Sequence, residues 1–170
     1  MKKKILILAG GFSREREISL KTARGVFNEI KKKYHAKICE PNGDLIKNLR
    51  SFKPDVVFNA LHGRYGEDGY IQSILESEKI KYTHSGVIPS SIAIDKELSK
   101  KIFIKNNILT PKYIMYSFDK SKSFLINLIK KKLKFPVVIN PINEGSSVNV
   151  FICTKSNIIK NLKLLENYKK

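Results

Sequence analysis

Cysteine is scarce in this chain: Cys39 and Cys153 are the only two among 170 residues. That excludes a disulfide framework, and their apolar, strand-like surroundings read as buried free thiols in a reducing compartment. Long apolar runs are also missing. No stretch approaches the roughly 18 residues of a membrane-spanning helix, so no membrane segment is expected. Met1-Lys2-Lys3-Lys4 before Ile5-Leu6-Ile7-Leu8-Ala9 has the outline of a secretory leader. Gly10-Gly11 and Arg14-Glu15-Arg16-Glu17 then follow, where no cleavable leader carries such residues, so the run reads as a first β-strand. Acidic residues are few, 15 against 33 basic, for a net charge of +18. The excess concentrates in residues 96–170, with 16 basic and 4 acidic groups. It is mostly lysine in short runs such as Lys31-Lys32-Lys33 and Lys130-Lys131-Lys132, without interleaved aromatics. A dedicated nucleic-acid stripe looks different, so nucleic acid is not expected as the primary partner. No internal repeat or low-complexity linker occurs.

What is present is a foldable composition, 42% hydrophobic and 28% charged. Ile5–Ala9 is a continuous apolar run, the mark of a strand buried on both faces. Ser13 suits a helix N-cap, and a helix is expected to about Lys33 with Ile18, Ala23, Val26, Phe27 and Ile30 inward. His35–Glu40 and Asp55–Leu61 read as strands around a short helix, Leu45–Phe52. Tyr70–Lys79 reads as a helix and Ile80–Thr83 as a fourth strand. This alternation predicts a parallel α/β sheet. A helical stretch opening at Pro89-Ser90-Ser91 is expected to run to about Asn107. Strands are then expected at Tyr113–Ser117, Phe135–Pro141 and Val148–Thr154, with helices at Ser121–Lys132 and Ser156–Tyr168. That change of pattern places a second, α+β unit from about residue 90–95. Its few strands suggest that the unit is incomplete.

Ligands of parallel sheets sit beyond the carboxyl ends of the strands. Two glycine-rich loops fall there. Gly10-Gly11-Phe12-Ser13-Arg14-Glu15 lacks the third glycine of a dinucleotide fingerprint. His62-Gly63-Arg64-Tyr65-Gly66-Glu67-Asp68-Gly69 combines three glycines with four ionisable side chains. His62 suits carboxylate binding or proton movement, whereas Glu67-Asp68 reads first as a cap on the following helix. Glu15 is either a helix-end acid or an anion for a substrate ammonium. Asn143-Glu144-Gly145-Ser146-Ser147 is either a hairpin turn or a loop whose N–H groups cover phosphate oxygens. His35 and His84 lack metal-ligand spacing, and no Walker lysine motif or Gly-x-Ser-x-Gly elbow occurs.

Five ordered motifs together resemble the D-alanine–D-alanine ligases of the ATP-grasp superfamily, in their amino-terminal part. They are Ala9–Leu20, Asn59–Gly63 continuing through Gly66–Gln72, Tyr82–Val87 with Asp95-Lys96, Phe135–Val138, and Glu144–Val148. The resemblance implies a Rossmann-like parallel-sheet domain over 1–93, holding the D-alanine site. Over 94–170 it implies part of an α+β ATP-grasp lid domain. It implies ATP-dependent ligation of two D-alanines for peptidoglycan and cell-wall synthesis, through an acyl phosphate, in the cytoplasm. Partners implied are D-alanine, ATP, Mg²⁺ and a second copy of the chain. By resemblance Glu15 takes the first substrate's ammonium and His62 lines its pocket. Ser146 orients substrate, with Glu15 as its catalytic partner. Lys96, Asn140, Gly145 and Ser147 face ATP. Family members are about twice this length, and the missing part holds the acidic metal ligands, so no metal ligand is expected here and the chain reads as truncated. Three positions depart from the family pattern: Asn140 replaces a lysine, and His84 and Asn149 replace glycines. The alternative reading is a non-catalytic remnant or substrate-binding module.

Overall fold

The structure, a computed structural model, describes residues 2–143 and 149–168. The opening apolar run forms β1 (Lys4–Leu8). It is the middle strand of a parallel sheet, between β2 (His35–Cys39) and β3 (Val56–Asn59), in the order β2–β1–β3. Lys4 to Leu8 pair in register with His35 to Cys39, and Ile5 to Leu8 with Val56 to Asn59. Leu6, Ile7 and Leu8 are fully buried because side chains of the middle strand meet helices on both faces. On one face α1 (Arg16–Ile30) packs Ala23, Leu20, Val26, Phe27 and Ile30 over Ile7, Ala9 and Ala60. On the other, α2 (Leu45–Phe52) and α3 (Tyr70–Ser77) bring Leu45, Leu49, Ile71 and Leu75 against Leu6, Leu8 and Val57.

Several expectations need correction. Ile18 does not face the core. It is 52% exposed, because the buried stripe runs through Ser19, Ala23, Val26 and Ile30, about 100° further round the helix. The helix stops at Ile30, and the Lys31–Lys33 run lies in the turn beyond it. Ser13 is not the N-cap: Glu15 holds that position. Ser13 instead closes the preceding turn, its Oγ accepting the Glu15 N–H at 3.1 Å and its carbonyl the Arg16 N–H at 3.2 Å. The fourth strand is reduced to one parallel bridge, Val57 to Tyr82. Val57 donates to Lys81 O and accepts from Thr83 N. The next donor, Asn59 N–H, goes to the Thr83 hydroxyl at 3.0 Å, which ends the ladder. The long helix from Pro89 is broken at Asp95, whose extended ψ of 105° separates α4 (Val87–Ile94) from α5 (Lys96–Lys105).

The chain divides into two compact units, Met1–Asp95 and Lys96–Lys170. In the second, α6 (Lys122–Lys132) is capped by Ser121, whose Oγ accepts the Phe124 N–H at 3.1 Å. β4 (Val137–Ile139) pairs antiparallel with β5 (Phe151–Cys153), and α7 (Ile158–Tyr168) follows. Leu125, Ile129, Cys153, Ile158 and Leu162 form the core. Tyr113–Ser117 is not a strand. Ile114 and Tyr116 pack on that core through their side chains. Lys100 holds the chain just before them, donating to Thr110 Oγ1 and to Pro111 O at 2.9 Å each. Both cysteines are buried free thiols.

The two glycine replacements fall on left-handed backbone: φ is +81° at His84 and +58° at Asn149. Asparagine tolerates that region; histidine, with a full Cβ and ring, does so less readily. His84 is exposed, so its side chain has little packing to lose. His84→Gly is therefore expected to stabilise the first unit by about 0.5–1 kcal/mol, after subtracting glycine's greater freedom in the unfolded chain. A rise in the urea midpoint at unchanged slope checks this, and a fall would show that the ring contributes more than the strain.

Candidate functional site

The loops after β1, β2 and β3 converge beyond the carboxyl ends of the sheet. The first is a glycine turn, with φ of +81° at Gly10 and +79° at Gly11. It is pinned from two sides. The Gly10 N–H donates to Ser19 Oγ of α1 at 2.8 Å. A Cβ on Gly10 would stand 2.7 Å from Glu40 Oε2, and Glu40 itself is paired with Arg16 at 2.6 Å. A cavity of about 480 Å³ opens between this turn, Pro41–Gly43 and the loop from Leu61 to Gly66.

The loop between β3 and α3 is built by its own polar residues. Glu67 Oε2 accepts the Gly63 N–H at 2.9 Å. Asp68 accepts the N–H groups of Tyr65, at 2.9 Å, and Tyr70, at 3.1 Å. Beneath it the Gly66 carbonyl accepts from both Asn59 Nδ2, at 2.8 Å, and Gln72 Nε2, at 2.9 Å. Asn59 Oδ1 takes the Leu61 N–H at 3.1 Å. Asn59 and Gln72 are buried, and these bonds offset the cost of removing the Asn59 amide and the Gln72 Nε2 from water, while Gln72 Oε1 is buried without a hydrogen-bond partner. The expected cap on α3 is not formed by Glu67: Gly69 is its N-cap, without a side-chain bond, and Glu67 bonds within the loop, so that only Asp68, through the Tyr70 N–H, touches the helix start.

Glu15 and His62, read separately in the sequence, are brought to the same loop, Glu15 against Gly63 and His62 against Thr22. Glu15 is 7% exposed at the start of α1. Its Oε2 lies 2.7 Å from the place a Cβ on Gly63 would take, and Gly63 has φ of +67°. Only glycine lets the carboxylate lie on the loop beside His62. The His62 Nε2 stands 3.4 Å from Thr22 Oγ1, and its Nδ1 stands 3.7 Å from Glu67 Oε1. One helix therefore presents Glu15, Ser19 and Thr22 to both loops. Ser19 and Thr22 went unnoticed in the sequence; the signal was a polar i, i+4, i+7 stripe on a helix otherwise apolar on that side. His62 lines the cavity, and the Glu15 carboxylate lies against the next residue, Gly63; a carboxylate can hold an ammonium group, and an imidazolium a carboxylate.

In the second unit Lys96 reaches the end of β4. Both its backbone N–H and its Nζ donate to Ile142 O, at 3.2 and 3.1 Å. Asn140, two residues before Ile142, is exposed. Gly145, Ser146 and Ser147, assigned to phosphate and substrate contacts, lie outside the described residues. Among the described residues no group of three His, Cys, Asp or Glu side chains is placed to hold a metal ion. No helix among them is long and apolar enough to cross a membrane.

The family model described as the D-ala D-ala ligase N-terminus matches residues 44–85, and that of the RimK-like ATP-grasp domain matches residues 93–168. D-alanine–D-alanine ligase from Pelagibacter ubique is 66% identical over 169 residues, 99% of this chain and 56% of that protein. The ligase from Carboxydothermus hydrogenoformans is 42% identical over 164 residues, 94% of this chain and 53% of that one. Among solved structures, D-alanine–D-alanine ligase from Bacillus anthracis superposes with a TM-score of 0.83 at 33% identity, covering 98% of this chain and 54% of that one. A second structure from that organism, complexed with ATP, gives 0.79 at 30% identity, covering 98% of this chain and 55% of that one. The chain spans about half the length of the curated relatives it matches.

Proposed function

We propose, from the premise that this chain corresponds to the amino-terminal part of the D-alanine–D-alanine ligases, that its first unit holds the first amino acid in an ATP-dependent joining of two D-alanines. The observation that carries the reading is the Glu15 carboxylate lying on Gly63 beside His62. Glu15 receives the ammonium of the first D-alanine, a charge-assisted contact. His62 lines the same pocket and meets the substrate's other end. The first D-alanine's carboxylate attacks the terminal phosphorus of ATP, releasing ADP and forming an acyl phosphate. The amine of the second D-alanine then attacks the acyl carbon, losing a proton, and phosphate leaves. Lys96 and Asn140, at the end of β4, are assigned to the ATP phosphates, with Gly145 and Ser147; Ser146 orients substrate. The same premise makes the product the dipeptide of peptidoglycan, formed in the cytoplasm by a homodimer.

The test joins this chain to the remaining length of the Pelagibacter ubique relative. With ATP, Mg²⁺ and D-alanine the chimera is expected to form D-alanyl-D-alanine with one phosphate per dipeptide, at about 1 s⁻¹ or faster. The 170-residue chain alone is expected to form none. A folded chimera that releases no dipeptide contradicts the reading.

Asn140 offers a separate check. An asparagine donates hydrogen bonds but carries no charge, and the family pattern has lysine there. Asn140→Lys in the chimera is expected to tighten ATP about tenfold or more, for a contact worth roughly 1.5–3 kcal/mol. Titration at moderate salt screens the attraction of the +18 surface. Unchanged affinity favours the alternative, a module in which this strand end no longer meets nucleotide.

A further inference from the structure

Charge is segregated along the first unit. The ligand end of its sheet carries acids: Glu15, Glu17, Glu40, Asp44, Glu67 and Asp68 lie in or beside the loops after β1, β2 and β3. The opposite end is basic. Lys2 and Lys3 lead into β1, which starts at Lys4. Lys31, Lys32 and Lys33 lie in the turn between α1 and β2, and the Lys2 ammonium donates to Lys32 O at 2.8 Å. Lys4 and His35 are register partners, so both runs reach one end of the sheet. Lys53 closes α2. Lys79 and Lys81 follow α3, with Lys81 O accepting the Val57 N–H of β3. The topology gathers them, because parallel strands joined by helices share one end for strand starts and helix carboxyl ends.

Eight of these nine lysines are exposed, and Lys4 is half-buried. Among the described residues none of them makes an ion pair. The acids at this end, Glu29, Asp55, Glu76 and Glu78, leave a clear positive excess. Glu78 is matched by Arg50, bonded at 2.8 and 2.7 Å. Lysines past a helix end favour its dipole. That does not account for Lys2 and Lys3, which precede a strand, and neither α1 nor α3 has a basic residue in its last turn.

The kind of cation points to the kind of anion. Lysine is a point charge without the planar fork of arginine, and the arginine here already faces Glu78. Phe27, Tyr34 and Phe52 are half-buried, each under a lysine ammonium 5.6–5.7 Å from its ring centre, rather than standing out to stack bases. A cluster of exposed lysines suits a diffuse anionic surface, which it binds reversibly. We propose that this end of the first unit is a docking surface for a bilayer of anionic phospholipid, which leaves the ligand end on the far side of the unit. The proposal does not depend on the ligase reading.

Sedimentation with vesicles tests it. The 170-residue chain is expected to bind vesicles of phosphatidylglycerol and phosphatidylcholine in equal parts, to leave phosphatidylcholine vesicles alone, and to be released by salt. The second unit is basic too, so the control removes the same charge there. Lys31→Gln, Lys32→Gln and Lys33→Gln together are expected to weaken binding to the mixed vesicles about tenfold or more. Lys130→Gln, Lys131→Gln and Lys132→Gln together, also at a helix carboxyl end, are expected to change it by about twofold at most. Circular dichroism checks that both variants fold. Lys2→Gln with Lys3→Gln, ahead of β1, is a second route to the same surface, with an expected loss of about threefold or more. Absence of binding to the mixed vesicles at low salt overturns the inference. Equal losses in the two triple variants show that net charge acts rather than this surface, and also overturn it. Tighter binding to duplex DNA or RNA at the same salt, lost with Lys31–Lys33, assigns the surface to nucleic acid and overturns it as well.

Discussion

Gly66→Ala is expected to lower the stability of the first unit by about 3 kcal/mol. The added methyl would lie 2.4 Å from Leu61 Cβ, 3.1 Å from its carbonyl carbon and 3.3 Å from its Cα. Two of these three atoms belong to the backbone, so no rotamer change at Leu61 relieves the contact; the loop itself must move. Overpacking of that kind costs about 1–3 kcal/mol. The movement also carries the Gly66 carbonyl away from Asn59 Nδ2 and Gln72 Nε2, both buried. A buried amide left unpaired costs a further 1–3 kcal/mol or so. In a unit of this size each kilocalorie moves the melting temperature by roughly 4–8 °C, so the expected fall is roughly 12–24 °C. A thermal melt followed by circular dichroism decides. A shift below about 4 °C would mean that the loop tolerates displacement, and the rigidity assigned to the His62–Gly66 segment would be wrong.

Glu15→Gln in the chimera is expected to raise the D-alanine requirement of the first site roughly 10- to 150-fold and to leave ATP affinity within about twofold. The range follows from a hydrogen bond to a charged group, about 1.5–3 kcal/mol, converted to affinity. Glutamine keeps the shape and one oxygen of the side chain, so the loss reports charge rather than packing. Gly63→Ala gives an independent approach to the same contact. Its methyl would meet Glu15 Oε2 at 2.7 Å, at a left-handed φ of +67°, and displace the carboxylate without removing it. The same selective loss of D-alanine binding is expected. Steady-state kinetics with D-alanine and ATP varied in turn separate the two ligands. Equal losses for both would return Glu15 to a plain helix-end acid.

The parallel sheet was legible because its strands announce themselves. Ile5–Ala9 is apolar without alternation, and so short a run bounded by Gly10-Gly11 reads as a strand covered on both faces. α2 was read at its observed bounds because Asn42-Gly43-Asp44 and Pro54 bracket it. The fourth strand was not so readable. Whether Ile80–Thr83 forms a ladder depends on where the Asn59 N–H goes, and it goes to the Thr83 hydroxyl, a choice made across 24 residues. Tyr113–Ser117 has the composition of a strand, but its apolar side chains pack on α6 and α7 without a ladder. Glu15 and His62 stood out individually through their positions at strand ends. Their approach to one loop depends on Gly63, which admits Glu15, and Thr22, which meets His62; neither residue gave a signal in the sequence. The loop holding Gly145, Ser146 and Ser147 lies outside the described residues, and those three roles rest on the family pattern.

The central claim is that the Glu15 carboxylate, seated on Gly63 beside His62, receives the ammonium of the first amino acid. The most direct measurement is a crystal structure of the chimera with D-alanine bound. The account predicts the amino acid in the first unit's cavity, its nitrogen about 2.7–2.9 Å from a Glu15 oxygen and its carboxylate towards His62. D-alanine bound with its nitrogen away from Glu15, or held entirely by other residues, would contradict it.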